Sequence, residues 1–152
     1  YKDNGLITEK DIIEAIPKTL QDNIFDLTQL ILTKKIDQAR DLVKDLTLQG
    51  EDEIKLIAIM LGQLRLYYQV KVLQEMGQVD SQIASSLGHY LGRNPNPYQI
   101  KFALRDTRGL SLNFLSKAIR YLIQADFQIK TGVYEKNYLF GNALLQIANL
   151  SK

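Results

Sequence analysis

The sequence predicts an all-α fold, a bundle of about six to eight helices, from three observations. Apolar residues recur at steps of three and four along most of the chain, the spacing of one helical face. No stretch of alternating apolar and polar residues persists long enough for a strand. Only 3 Pro occur among 152 residues, so little interrupts long helices.

Residues 1–5 are polar and contain Gly5, as a linker would. Thr8, Glu9 and Asp11, followed by Ile12, Ile13 and Ile16, give the cap-and-acid pattern that opens a helix, and Pro17 stops it after about two turns. So short an element reads as the last helix of an upstream domain, over residues 1–20, with a second domain over 21–152. The chain starts at Tyr1 without Met and therefore reads as part of something longer.

The second domain is expected to open near Asp22. Ile24, Phe25, Leu27, Thr28, Ile31 and Leu32 form an apolar face that ends at Lys34 and Lys35, where the helix dipole favours cations. A second helix follows from Asp37, with Ala39, Leu42, Val43 and Leu46 inward and Gly50 as terminator. The longest pattern runs from Glu51 to Met76 and stops at Gly77. Its expected buried face is Ile54, Ile57, Leu61, Leu64, Tyr68 and Leu73. Gly62 in its middle suggests a close helix–helix approach, since Gly there is otherwise only a propensity cost.

Asp80 to Gly88 reads as a short capped helix, and His89 to Pro97 as a polar loop. Asn96 and Pro97 then suit the cap and first position of a helix carrying Ile100, Ala103 and Leu104 inward. From Ser111 to Gly132 comes the helix that reads as central. Leu112, Leu115, Ile119, Leu122 and Ile129 make one apolar row, and Phe114, Ala118, Tyr121 and Ala125 a second. Asn113, Lys117, Arg120, Gln124 and Gln128 leave only a narrow polar strip, so neighbours are expected nearly all round. Asp126 falls within the first row, where a carboxylate is costly unless paired; Lys130, four residues on, is its expected partner in a structural charge pair. The last helix is expected over Tyr134–Leu150, with Tyr138, Leu139, Ala143, Leu144, Ile147 and Leu150 buried.

Composition excludes several classes. There is no Cys, so disulfides and thiolate metal sites are absent. A net charge of +2 neither demands nor forbids nucleic acid. No apolar run reaches the roughly 20 residues of a membrane span, and no secretory signal opens the chain. Phosphate-cradling loops, dinucleotide fingerprints, nucleophile elbows and HExxH are all missing, so neither catalysis nor ATP binding is expected. His89 is the one histidine and has no companion ligands in sequence.

Two features point towards nucleic acid. DSQIASSLG (80–88) is similar to the first helix of a helix-turn-helix, but His89 to Pro97 intervene where that motif has a turn of about three or four residues. Ordinary helix packing explains it better. Tyr134 stands between Lys130 and Lys136 at a turn, an arrangement that can stack a base while the amines meet phosphate. Tyrosines at helix starts are more often packing residues.

The order of these pieces resembles the C-terminal region of the bacterial DNA polymerase III delta subunit, a clamp-loader component. The resemblance is carried by IFDLTQLILTKKIDQARDLV (24–43), IKLIAIMLGQLRLYYQVKVLQEMG (54–77), IASSLG (83–88), NPYQIKFAL (96–104) and above all LIQADFQIKTG (122–132). ITEKDIIEAI (7–16) resembles the last helix of that family's lid domain. The link between Gly88 and Pro97 is longer than the family pattern. The resemblance implies a collar domain, a helical bundle that joins its counterparts in the delta prime and gamma/tau subunits into a ring. It further implies an N-terminal, non-hydrolysing ATPase-like domain outside this chain that engages the sliding clamp, and primed DNA beneath the collar, where Tyr134, Lys130 and Lys136 would be placed to meet it. A cytoplasmic setting, no membrane, no cofactor and no catalysis by this piece of the polymerase holoenzyme follow from the same resemblance. The alternative is a helix-turn-helix-like DNA-binding regulator.

Overall fold

The computed structural model describes residues 19–91 and 97–152. Seven helices follow one another in the described residues, with no strand: α1 (Leu20–Leu32), α2 (Ile36–Leu48), α3 (Glu53–Glu75), α4 (Asp80–Leu91), α5 (Pro97–Thr107), α6 (Leu112–Lys130) and α7 (Lys136–Ala148). The expected helix over Thr8–Ile16, its stop at Pro17 and the Asn96 cap lie outside the described residues.

Local chemistry explains most boundaries. Thr19 caps α1 in a reciprocal box: its hydroxyl accepts from Asp22 N at 3.1 Å, and its own N–H donates to the Asp22 carboxylate at 3.3 Å. Asp22 is therefore the answering residue of the cap, and α1 begins two residues earlier than expected. Asp52 caps α3 by accepting from Ile54 N at 2.8 Å, and Ser111 caps α6 by accepting from Phe114 N at 3.0 Å. Gly50, Gly77 and Gly132 end their helices with positive φ, as expected of αL terminators. Lys34 adopts φ 60 in the α1–α2 turn, an uncommon conformation for a residue with a Cβ.

The axis of the bundle is α3, which packs against α1, α4, α5, α6 and α7. Leu56, Ile57, Met60, Leu61, Leu64, Tyr67, Val70 and Leu73 are its buried residues. Two expectations for this helix fail. Tyr68 is exposed and Tyr67 turns inward, because one residue along a helix rotates the side chain by about 100°. Gly62 is exposed, and a Cβ built on it meets nothing within 4 Å, so no close approach requires it. By length and composition α3 could cross a membrane, although polar residues interrupt its apolar runs; its apolar side chains are instead taken up by the surrounding helices.

Helix α6, expected to be central, packs chiefly on α3 and α7. Of the two apolar rows, Phe114, Leu115, Ala118, Leu122, Ala125 and Ile129 are buried and Leu112, Ile119 and Tyr121 only half-buried, while Ile123 and Phe127 are left exposed on the open side. In α7 the buried set is Leu139, Phe140, Ala143, Leu144, Ile147 and Ala148, pairs repeating every four residues. Tyr138, expected inside, lies roughly half a turn from Phe140 and is exposed. Phe114 and Phe140 are the largest fully buried side chains, and both touch the common core.

Helix α4 passes through Gly88 and continues to Leu91, so His89 belongs to its last turn rather than to a loop. Ile83 and Leu87 anchor this helix in the core. Both α4 and α5 lean on α3, with little direct packing of one on the other. That arrangement differs from the clasped pair of a helix-turn-helix.

Candidate functional site

The turn between α6 and α7 is where the sequence places its candidate contact residues, and the structure brings them to one end of the bundle. Thr131 and Gly132 reverse the chain, with Val133 N donating to Gln128 O at 3.1 Å. Tyr134 follows, 64% exposed, and Tyr138 one helical turn later is 61% exposed. Their rings lie 6.0 Å apart between centroids and are inclined by 58°, the tilted geometry aromatic pairs favour. Phe127 and Val133 are also exposed on the same segment. Exposed large apolar side chains gathered on a single turn are what contact surfaces are made from.

The two lysines of this turn are both engaged with acids. Lys136 Nζ stands 2.9 Å from Asp52 Oδ2, so the amine ties the start of α7 to the cap of α3. The bond to Lys136, aided by Ile54 N–H, holds the Asp52 carboxyl below its ordinary value, and the bond to Asp52 raises the Lys136 amine above its own. Lys130 Nζ lies 2.9 Å from Asp126 Oδ2 within α6. Water reaches both pairs, and in that setting solvent screening leaves an ion pair little net strength. A phosphate could therefore exchange with either carboxylate at small cost.

Asp126 needs a correction. Its side chain is 25% exposed rather than buried in an apolar row, because the buried seam runs through Leu122, Ala125 and Ile129 and leaves Asp126 at its edge. The more enclosed carboxylate belongs to Asp106, 11% exposed, where α1, α3 and α5 meet. Asp106 Oδ2 accepts from Gln29 Nε2 at 2.7 Å and from the Tyr67 hydroxyl at 2.8 Å, while Oδ1 accepts from Arg105 Nε at 2.9 Å. Burial, with the Asp106 charge beside it, pushes the Tyr67 phenol far above its ordinary value, so it remains a proton donor at all working pH. Arg105 also lies over the Phe102 ring at 4.8 Å, and Phe102 meets Phe25 of α1 at 4.7 Å. The sequence carries no periodic signal for this cluster, because its members come from three separate helices.

Among the described residues no group of three His, Asp or Glu side chains is placed to hold a metal. The geometry offers an exposed apolar surface at the α6–α7 turn and a hydrogen-bonded polar cluster at Asp106.

Residues 21–147 match the family described as DNA polymerase III delta subunit, C-terminal domain. The chain is 32% identical over 145 residues to the DNA polymerase III subunit delta of Bacillus subtilis, an alignment that takes in 95% of this chain and 40% of that protein. The solved structure of the Bacillus subtilis DNA clamp loader delta protein superposes with a TM-score of 0.80 at 32% identity, covering 95% of this chain and 41% of its own. The chain thus spans about two fifths of the length of the relatives it matches.

Proposed function

We infer the role of this chain from where it belongs: it is a member of the family of C-terminal domains of the DNA polymerase III delta protein, and it serves as the collar piece of a clamp loader. In this reading residues 21–152 form the oligomerisation domain that joins the delta prime and gamma/tau subunits in a ring. Residues 1–20 are the end of the preceding lid domain. The arm that engages the sliding clamp lies in sequence beyond this chain, and the complex acts on primed DNA in the cytoplasm. The role is assembly rather than catalysis.

The observation that carries this reading is the match in sequence and fold over nearly the whole chain. The structure suits the role physically. A bundle centred on α3 buries most of its apolar side chains and leaves others exposed, among them Phe127, Val133, Tyr134 and Tyr138 at one end. The helix-turn-helix alternative loses support because α4 and α5 both lean on α3.

Co-expression of the full-length delta protein with delta prime and gamma/tau tests the assignment. A delta protein truncated before residue 19 is expected to fail to co-purify with them, while delta protein that retains this chain assembles. Equal recovery of the loader with and without residues 19–152 would overturn the proposal.

A further inference from the structure

Because α4 and α5 both rest on α3, a groove of about 670 Å³ opens between them. Its floor is aliphatic, made by Ala84, Pro97, Ile100 and Leu104, and its rim carries Lys101, Arg105 and Arg108. These three cations stand at i, i+4 and i+7 on one face of α5 and the residue just past it. Like charges four residues apart disfavour a helix by mutual repulsion. The helix dipole compensates for Arg105 and Arg108 at the C-terminal end, but not for Lys101 in the first half. One acid, Asp80, shares the rim, and Arg108 Nη2 meets it at 3.1 Å. Arg105 is pre-positioned by its bond to Asp106 and its seat on Phe102.

We propose that this groove is a docking site for an acidic peptide, whose apolar side chains rest on the aliphatic floor while its carboxylates meet Lys101 and Arg105. From Pro97 to Arg108 the groove runs about 16 Å at the helical rise, which an extended strand of about five residues spans. Charge complementarity selects an acidic partner. An aliphatic floor selects apolar side chains over a phosphate backbone. Asp80 sets polarity, since it repels carboxylates from the Arg108 end and directs them towards Lys101. This inference stands independently of the collar assignment, because it uses a face other than the α6–α7 turn.

The test is fluorescence anisotropy on the full chain, with a labelled octapeptide of alternating Glu and Leu as probe. Controls replace Glu by Lys, or Leu by Ser, and a labelled oligothymidylate represents nucleic acid. Saturable binding of the Glu/Leu peptide alone is expected, with amide shifts at Ala84, Ile100, Lys101 and Leu104. Lys101→Glu, an exposed change that leaves the core untouched, is expected to weaken binding by about fivefold or more, as loss of one pair plus a new repulsion requires. Asp80→Asn is expected to strengthen it. The proposal is overturned if the peptide does not saturate or if both variants bind it as the parent does. It is likewise overturned if oligothymidylate binds in a Lys101-dependent manner while the peptide does not.

Discussion

Among single residues, the most consequential side chain is Asp106, which holds three donors from three helices in a nearly dry setting. Hydrogen bonds to a charged acceptor contribute about 1.5–3 kcal/mol, and removing the acceptor strands the buried Tyr67 hydroxyl and the half-buried Gln29 amide, while the exposed Arg105 turns to water. Asp106→Ala is therefore expected to destabilise the domain by about 3–5 kcal/mol, and Tyr67→Phe by about 1.5–3 kcal/mol, in denaturant unfolding. Asp126 behaves oppositely. The apolar spacing around it predicts a buried carboxylate whose loss costs several kcal/mol, roughly the penalty of breaking an enclosed pair; in the fold it shares water with Lys130. Asp126→Ala is expected to cost no more than about 1 kcal/mol. A loss of the size expected for Asp106 would show that Asp126 is effectively buried. Asp126 is conspicuous in the sequence because it interrupts an apolar row. Asp106 is inconspicuous because helix periodicity reports only what one helix offers, not what two others bring to it.

Individual helices carry their own tests. Gly62 occupies an exposed interior position of α3 with open space where a Cβ would stand. Gly62→Ala is expected to raise stability by about 1 kcal/mol, read as a higher denaturant midpoint; destabilisation would point to a hidden close contact. The tie between the start of α7 and the cap of α3 adds a pH dependence. The folded-state pKa of Asp52 is depressed below 3.8, so its contribution is present above that value and lost as pH falls through the folded value. The folded pKa of Lys136 is raised above 10.5, so the same bond contributes below that value and is lost as pH rises further. In Lys136→Met the acid-side loss attributable to this bond should shrink, although Asp52 keeps its cap on Ile54. Unchanged acid unfolding curves would mean that the bond carries no net stability.

For the molecule as a whole, the prediction concerns what the α6–α7 end meets in an assembled loader. Tyr134 and Tyr138 form an exposed tilted pair with Lys130 and Lys136 nearby, each amine held by an exchangeable acid. If this end faces primed DNA, Tyr134→Ala in the reconstituted complex should weaken primed-template binding by about 1–3 kcal/mol, the worth of one base–aromatic stack. Assembly and thermal stability should not move, because the ring is mostly in water. Equal DNA affinity for mutant and parent would remove Tyr134 from the DNA-facing surface. Impaired assembly would instead make this end a contact with a neighbouring protein of the ring.

Residue order settles the local features of this domain. Periods of three and four, caps such as Ser111 and stops at Gly50, Gly77 and Gly132 specify helices and their ends, because backbone conformation and capping act within a few residues. Family membership, matched over residues 21–147, is legible for a similar reason, since it needs only order along the chain. Which side of each helix loses its water is settled by packing. Tyr67 is in and Tyr68 out; Phe140 is in and Tyr138 out; α3 rather than α6 is the axis. An apolar residue can satisfy either the core or an exposed contact surface, and only the positions of neighbouring helices choose between them. For the same reason neither the Asp106 cluster nor the groove between α4 and α5 is legible in the order of residues. Each forms where separate helices converge or diverge, and that placement is set by packing rather than by the spacing of residues along any one helix.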